Sequence, residues 1–415
     1  MRSLLARHLS RGFSMVELMV AMVISLIGVI IIFQVFETSE GVRRTSTSGG
    51  DAQQNGAVAL YFMERDLRNA GMGVNDTIYA GCNMIGSDSS RTTPNFPPLG
   101  NPMILAPAFI TAGADALTPD QLTVFYGSQN QIANSTTLVA NMLLPTSPLT
   151  VQTRFGFRPG DLVLLLEPGS GKNCAFMEVT SLPGAPSNQI NHDPVTYTLS
   201  GGASVAARFN PAAGMGVTYG GALSANVARV FNLGNLHDDL NFPASQNVTV
   251  PVYNLYAVAN KTLTVSNAFV IAGGVAGGVP VVNSVADNIV HMRADYGVDD
   301  GANDGSVSYN TVYLPNDGIV NRYISATPNW SQVIAVRVAV VARSALAEKP
   351  AGGGATCNTT TVYPTWSGGP PAGPPVTGTM TNRGFDLSSD PNWQCYRYRV
   401  FETTVPLRNW IWKSS

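Results

Sequence analysis

RGFSMVELMVAMVISLIGVIIIFQVF, residues 11–36, opens with an Arg-Gly pair and runs on as an apolar stretch whose only charge is Glu17. From Phe13 to Phe36 a helix rising about 1.5 Å per residue reaches about 36 Å, more than the ~30 Å hydrocarbon core of a bilayer. The first twelve residues carry Arg2, Arg7 and Arg11 and no acid. Such a flank stays on the cytoplasmic side, so the rest of the chain is expected across the membrane. No later stretch is long and apolar enough to span again, so one crossing is expected. A secretory signal peptide has a shorter apolar core with a small-x-small cleavage site behind it. QVFETSEGVRR, residues 34–44, offers no such site. A plain anchor explains length and orientation but not Glu17, because a carboxylate at the membrane is costly and marks function.

Working outward, the chain has 415 residues, of which 45% are hydrophobic and only 12% charged. Gly, Ser, Thr, Asn and Pro fill the deficit, which suits an extracytoplasmic β-rich protein with many turns. The formal net charge is −2 and no basic patch stands out, so nucleic acid is not a partner the sequence points to.

Beyond the polar GVRRTSTSGG (41–50), Gly56, Leu60, Met63, Leu67 and Ala70 recur at helical spacing, widened by Val58, Ala59 and Phe62. Glu64 and Arg68 pair at i,i+4 on the other side, and Gly71 and Gly73 end the helix. Gly49-Gly50 is a place for a bend or fray. After Cys82 the pattern turns to strands. DQLTVFYG (120–127) is rich in β-branched and aromatic residues. GDLVLLLEPGSGKNCAFMEVTSL (160–182) reads as a hairpin, and YNLYAVANKTLTV as another turning at Asn260-Lys261. ADNIVHMRADYGVDD (286–300) reads as a short helix leading into a strand. QVIAVRVAVVAR and YRYRVFETTVPL are late strands, the first with Arg337 on a solvated face. The Gly/Pro-rich 349–378 is loop.

RGFSMVE followed by this apolar run resembles the processing site of type IV prepilins: a basic leader ending in Gly, then Phe, then Glu at the fifth mature position. The resemblance implies cleavage between Gly12 and Phe13 by prepilin peptidase, N-methylation of Phe13, and pairing of Glu17 with the terminal amine of a neighbouring subunit. ALYFMERDLRNAGMG (59–73), VFNLGN, YNLYAVANKTL, ADYGVDD, WSQVIAVRVAVVARS and CYRYRVFETTVPLRNWIW (395–412) resemble segments of PilW-type minor pilins. That resemblance implies an α+β fold, a long pilin helix packed on a large antiparallel β-rich head. The organisation is then 1–12 leader, 13–36 transmembrane and pilus-core helix, 37–72 its second, amphipathic half, and 73–415 periplasmic head. The implied function is a minor pilin in type IV pilus assembly or initiation, in a tip or priming complex. Its implied partners are the other minor pilins, the major pilin, a PilY-type adhesin and the inner-membrane assembly platform. The implied place is the inner membrane, N-terminus cytoplasmic, and then the pilus or cell surface. A type II secretion pseudopilin shares the processing site, and the head could itself be a tip adhesin. An enzyme is not expected, since no catalytic set such as G-x-S-x-G or H-E-x-x-H occurs.

Four cysteines, Cys82, Cys174, Cys357 and Cys395, follow the membrane segment, on the oxidising side. They allow three connectivities; Cys82–Cys174 with Cys357–Cys395 is the pairing favoured here. Zinc lacks the necessary spacing, and no cofactor is expected. Asp299, Asp300, Asn303 and Asp304 in DDGANDG are weak calcium candidates, with Asn310 where a bidentate Glu would stand. EPGSGKN (167–173) lacks the spacing of a phosphate loop. His192-Asp193 and His237-Asp238-Asp239 read as surface turns. Trp410 and Trp412 read as either a contact surface or burial in the terminal strand.

Overall fold

The structure, a computed structural model, describes residues 14–411 apart from 75–76, 91–94, 97–102, 128–134, 145, 185, 211–221, 238–250, 272–279, 300–319, 321, 327, 349, 351–355 and 370–382. One helix runs from Met15 to Asn69 without a break, so Gly49-Gly50 does not interrupt it. Docking begins just before those glycines, where the Leu346 amide donates to the buried Ser48 hydroxyl at 3.2 Å. The helix ends at Gly71 and Gly73, both at positive φ (78° and 91°). Gly71 N donates to Phe125 O at 2.9 Å, tying the end of the helix to a strand.

From Ser48 onward the helix is amphipathic. Ala52, Gly56, Ala59, Met63, Leu67 and Ala70 are buried, with Val58, Leu60 and Phe62 half-buried around them. This face packs on two sheets. One has the strands Arg322–Ile324, Ile289–Val298, Val333–Arg343 and Tyr398–Pro406 in that spatial order. The other has Pro280–Asp287, Thr262–Ile271, Val252–Ala259, Gln121–Tyr126 and Ala108–Thr111. Apolar residues of helix and both sheets form one core, which includes Met63, Leu67, Tyr256, Tyr296 and Val336. At Gly56 the helix comes so close to the last strand that a Cβ there would lie 2.2 Å from the Phe401 ring.

A third, seven-stranded sheet is built around the hairpin of Asp161–Leu166 and Cys174–Glu178, with Arg229–Asn235 beside the first of these. Its two faces bury separate cores, one holding Phe176 and Phe209, the other Val163 and Val230. Among the described residues, pairing is antiparallel except where Asn83–Ser87 runs parallel to Cys174–Glu178. The Val252–Ala259 hairpin turns on Asn260 and Lys261, at φ 51° and 63°, the two positive values that a two-residue primed turn requires.

Two sequence expectations are corrected. Residues 289–298 are strand throughout, with no helix before them. Asn288 at φ 57° carries the chain from one sheet to the next. The segment lies buried on both faces: Met292, Ala294 and Tyr296 alternate with His291, Arg293 and Asp295, and the polar set is buried as well. Arg337 does not mark a solvated face. Its guanidinium lies 3.8 Å from the Tyr323 ring centroid and 4.9 Å from that of Trp366, and donates to Asp295 at 2.9 Å. The excursion between residues 344 and 397 folds back over this side of the sheet, where Trp366 and Phe385 pack on Ala339 and Val341. The helix covers one face of Val333–Arg343 and the excursion covers the other.

Candidate assembly site

Gly12 and Phe13 lie outside the described residues. From Met15 to Phe36 every helix residue except the half-buried Gly28 is exposed. The segment is long and apolar enough to cross a membrane, with a mean hydropathy of 2.8 over eighteen residues. Glu17 stands in the first helical turn, where the unpaired N–H groups and the positive end of the helix dipole favour an anion. A helix apolar on all sides needs an apolar surround, either lipid or other helices. A carboxylate carried into such a surround is costly unless a cation meets it there. Between Phe36 and Ser48 lie about 18 Å of helix, whose described side chains are exposed up to Thr47. The head therefore stands off from the apolar segment.

The head side holds several buried polar clusters that the sequence reading did not find, two of them at the long helix or the sheets it packs on. Asp120 is fully buried; it accepts from Arg293 Nη1 at 2.8 Å, Arg383 Nη2 at 2.8 Å, Gly113 N at 2.9 Å and Ala294 N at 2.9 Å. Burial acts to raise its carboxyl, but Arg383 and then Arg293 draw it below the usual carboxylate value. Arg383 also donates to Asp295 at 2.9 Å. The second cluster centres on Asp66 in the helix, which accepts from Tyr256, Asn254 and Tyr126. Asp66 lies three positions after Met63 and four before Ala70, and that spacing alone placed it on the buried face.

His291 lies beside the first cluster, buried, with Nε2 2.9 Å from Ala116 O and its ring edge-on to Phe385. Burial, then the Arg293 charge, pushes its imidazole down to about 4. An unfolded histidine near 6.5 binds a proton that the folded one refuses. His291 therefore contributes stability in full above pH 6.5, and that contribution is lost as pH falls through about 4. The difference is about 3 kcal/mol. Asp161, pushed up to about 6 by burial, works in the opposite sense, so the test is a comparison. The fall in unfolding free energy from pH 7 to 4 is expected to be about 3 kcal/mol smaller in His291→Leu than in the parent. Equal slopes in denaturant titrations at each pH would refute the assignment.

Cys82 is bonded to Cys174 and Cys357 to Cys395, with Cα separations of 5.8 and 4.9 Å. The first bond lines a cleft of roughly 510 Å³ whose opposite wall is the 167–173 turn. There Lys172 is held by Glu167 at 3.0 Å and by the Ala222 carbonyl at 2.6 Å. Of the calcium candidates, Asp299 is buried and its amide donates to Gln332 O at 2.8 Å; Asp300, Asn303 and Asp304 lie outside the described residues. Among the described residues no group of three His, Cys, Asp or Glu is arranged to hold a metal. His192 is not a surface residue. It is buried, with Nε2 2.9 Å from Ser147 O. His237 Nε2 lies 3.4 Å from the buried Glu178; Asp238 and Asp239 lie outside the described residues. So does Trp412, and Trp410 is described only as backbone of the short helix Arg408–Ile411. The side chain of Asn409, next to it, donates to Arg68 O at the end of the long helix at 3.3 Å.

Two family models match the chain. One, described as Type IV Pilus-assembly protein W (PilW), covers residues 255–409. That span runs from the second strand hairpin through the helix-covering sheet to Asn409. The other, the prokaryotic N-terminal methylation motif, covers residues 7–33. No curated protein and no solved structure matches the chain.

Proposed function

We propose, on the PilW match over residues 255–409 and the methylation motif over residues 7–33, that this chain is a type IV pilus-associated minor pilin, a structural component of the pilus, and that it serves in a tip or priming complex. The observation that carries this reading is the helix itself. Residues 15–36 are apolar but for Glu17, Ser25 and Gln34 and almost wholly exposed, and the second half of the helix is buried along one face against the head. One rod thus offers an apolar face to a helical bundle and holds a large folded head at its far end. In this reading prepilin peptidase cuts after Gly12, Phe13 is N-methylated, and the new ammonium of a neighbouring subunit pairs with Glu17. The helix crosses the inner membrane with its N-terminus cytoplasmic and its head periplasmic, and later lies in the pilus at the cell surface. The two disulfides fit an oxidising compartment for the head. Other minor pilins, the major pilin, a PilY-type adhesin and the inner-membrane platform are its partners. The head makes the lateral contacts, and no calcium or other cofactor is required.

The test is the N-terminus. Intact mass and N-terminal sequencing of protein from its native membrane should give a chain starting at methylated Phe13. Gly12→Ala should leave the start at Met1 and remove the protein from sheared pili. An unprocessed parent would reduce residues 13–36 to an anchor and defeat the proposal.

A further inference from the structure

The buried face of the long helix carries one acid, Asp66, fully shielded from solvent. Its Oδ2 accepts from Tyr256 Oη and from Asn254 Nδ2, both at 2.6 Å. Its Oδ1 accepts from Tyr126 Oη at 3.2 Å and from Arg65 Nη2 at 3.1 Å. Three of these donors stand on adjacent strands of the five-stranded sheet, Gln121–Tyr126 and Val252–Ala259. A buried carboxylate is a weak source of stability, since packed apolar groups of similar volume often do as well. Its better attested use is to fix register where an apolar interface would tolerate several.

This interface is of that kind. Ala52, Ala59 and Asp66 are seven residues apart, as are Gly56, Met63 and Ala70. Small or apolar side chains therefore return to nearly the same sites when the helix slides by seven residues, about 10.5 Å, or by a single turn. Gly56 blocks some of these slides, because any bulk at its site meets Phe401. Asp66 blocks the rest. Sliding it away strands three donors of the sheet, while sliding an alanine or methionine into its place satisfies none of them.

We infer that Asp66 is the positioning residue that sets where the head sits along and around the helix. The inference rests on the pilin reading above. Glu17 and Asp66 lie on one uninterrupted helix, 49 residues or about 74 Å apart. Glu17 fixes the depth of the helix among its neighbours, and Asp66 converts that depth into the height and facing of the head. A head docked one turn away stands about 5.4 Å off and presents a rotated surface to the next subunit.

The test uses the full-length chain in detergent, spin-labelled at Gln54→Cys on the exposed side of the helix and at Thr404→Cys on the last strand. Pulsed EPR on this parent should show one narrow distance. Asp66→Leu should add a second population displaced by about 5 Å or more, with the near-ultraviolet dichroism of the head retained. In sheared pili it should fall about tenfold. Asp66→Asn should restore the single distance, because its amide oxygen still accepts from Tyr256 and Asn254 while its NH2 turns to Tyr126. Should Asp66→Leu not fold, Asn254→Leu with Tyr256→Phe removes the two closest donors from the sheet side, and the same displaced population is expected. A single unchanged distance in the folded variants overturns the inference and leaves the pilin reading intact. A displaced distance in a protein whose parent never enters pili upholds the positioning role and defeats the pilin reading instead.

Discussion

Asp120→Ala is expected to cost about 3–5 kcal/mol of unfolding free energy, the range for removing one partner of a buried ion pair. Asp120 is fully buried and Arg293 is 1% exposed. The carboxylate receives two guanidinium groups and two backbone amides. Alanine takes this acceptor from all four donors at once; Arg383 keeps Asp295, but the buried Arg293 keeps only neutral carbonyl partners at Thr118, Asp115 and Gly384. The residues joined here are far apart in the chain, so the loss also releases segments from one another: the 113–120 loop, the strand Ile289–Val298, and the return of the excursion at Arg383. Asp120→Asn keeps one acceptor and loses the charge, and should fall between parent and alanine. An exposed pair is the control: Glu64→Ala, which breaks the contact with Arg68 on the outer helix face, should shift stability by no more than about 0.5 kcal/mol. Guanidinium titrations of the three variants settle the ranking. A cost below about 1 kcal/mol for Asp120→Ala would mean that solvent reaches Arg293 once the carboxylate is gone.

The same pair shows where sequence reading stops. Asp120 and Arg293 are separated by 173 positions, and neither has a local pattern that announces its partner. The elements that were legible are those whose physics is local. The apolar run from Phe13 to Phe36, the three-four spacing from Gly56 to Ala70, and the Asn260-Lys261 turn each state their conformation within a few residues. The start of the strand at 289–298 was misread as a short helix: the alternation of Met292, Ala294 and Tyr296 with His291, Arg293 and Asp295 is a strand's period, but those polar residues are buried by distant partners that the sequence does not name. Arg337 was misread for a related reason. A charge alternating with valines looks solvated until the excursion at residues 344–397 brings Trp366 over it. The motif at residues 7–33 was legible through resemblance, since nothing in helix physics alone would single out Gly12-Phe13 as the expected cleavage point.

Glu17→Leu is expected to abolish incorporation into pili while leaving every earlier step in place. The substitution removes the only charge between Phe13 and Phe36, so membrane insertion becomes easier rather than harder. Leucine is at least as good a helix former as glutamate. Among the described residues the helix is first buried against the head at Ser48, some 31 residues or about 46 Å along the rod from Glu17, so the fold of the head has no reason to change. Cleavage after Gly12 should therefore proceed, and the protein should accumulate in the membrane at normal levels with a methylated Phe13. In the proposed mechanism, what should fail is the step in which a neighbour's terminal ammonium enters an apolar bundle. An ammonium without a carboxylate opposite it is far more costly there than a leucine is favourable. The expected loss from sheared pili is a hundredfold or more, on the order of what one unpaired buried charge does to an equilibrium. Glu17→Asp keeps the charge one methylene short and should recover part of the incorporation; Glu17→Gln, which keeps the shape without the charge, should recover little. Full incorporation of Glu17→Leu would show that the apolar surface from Met15 to Phe36 suffices for assembly, with register set by the head alone.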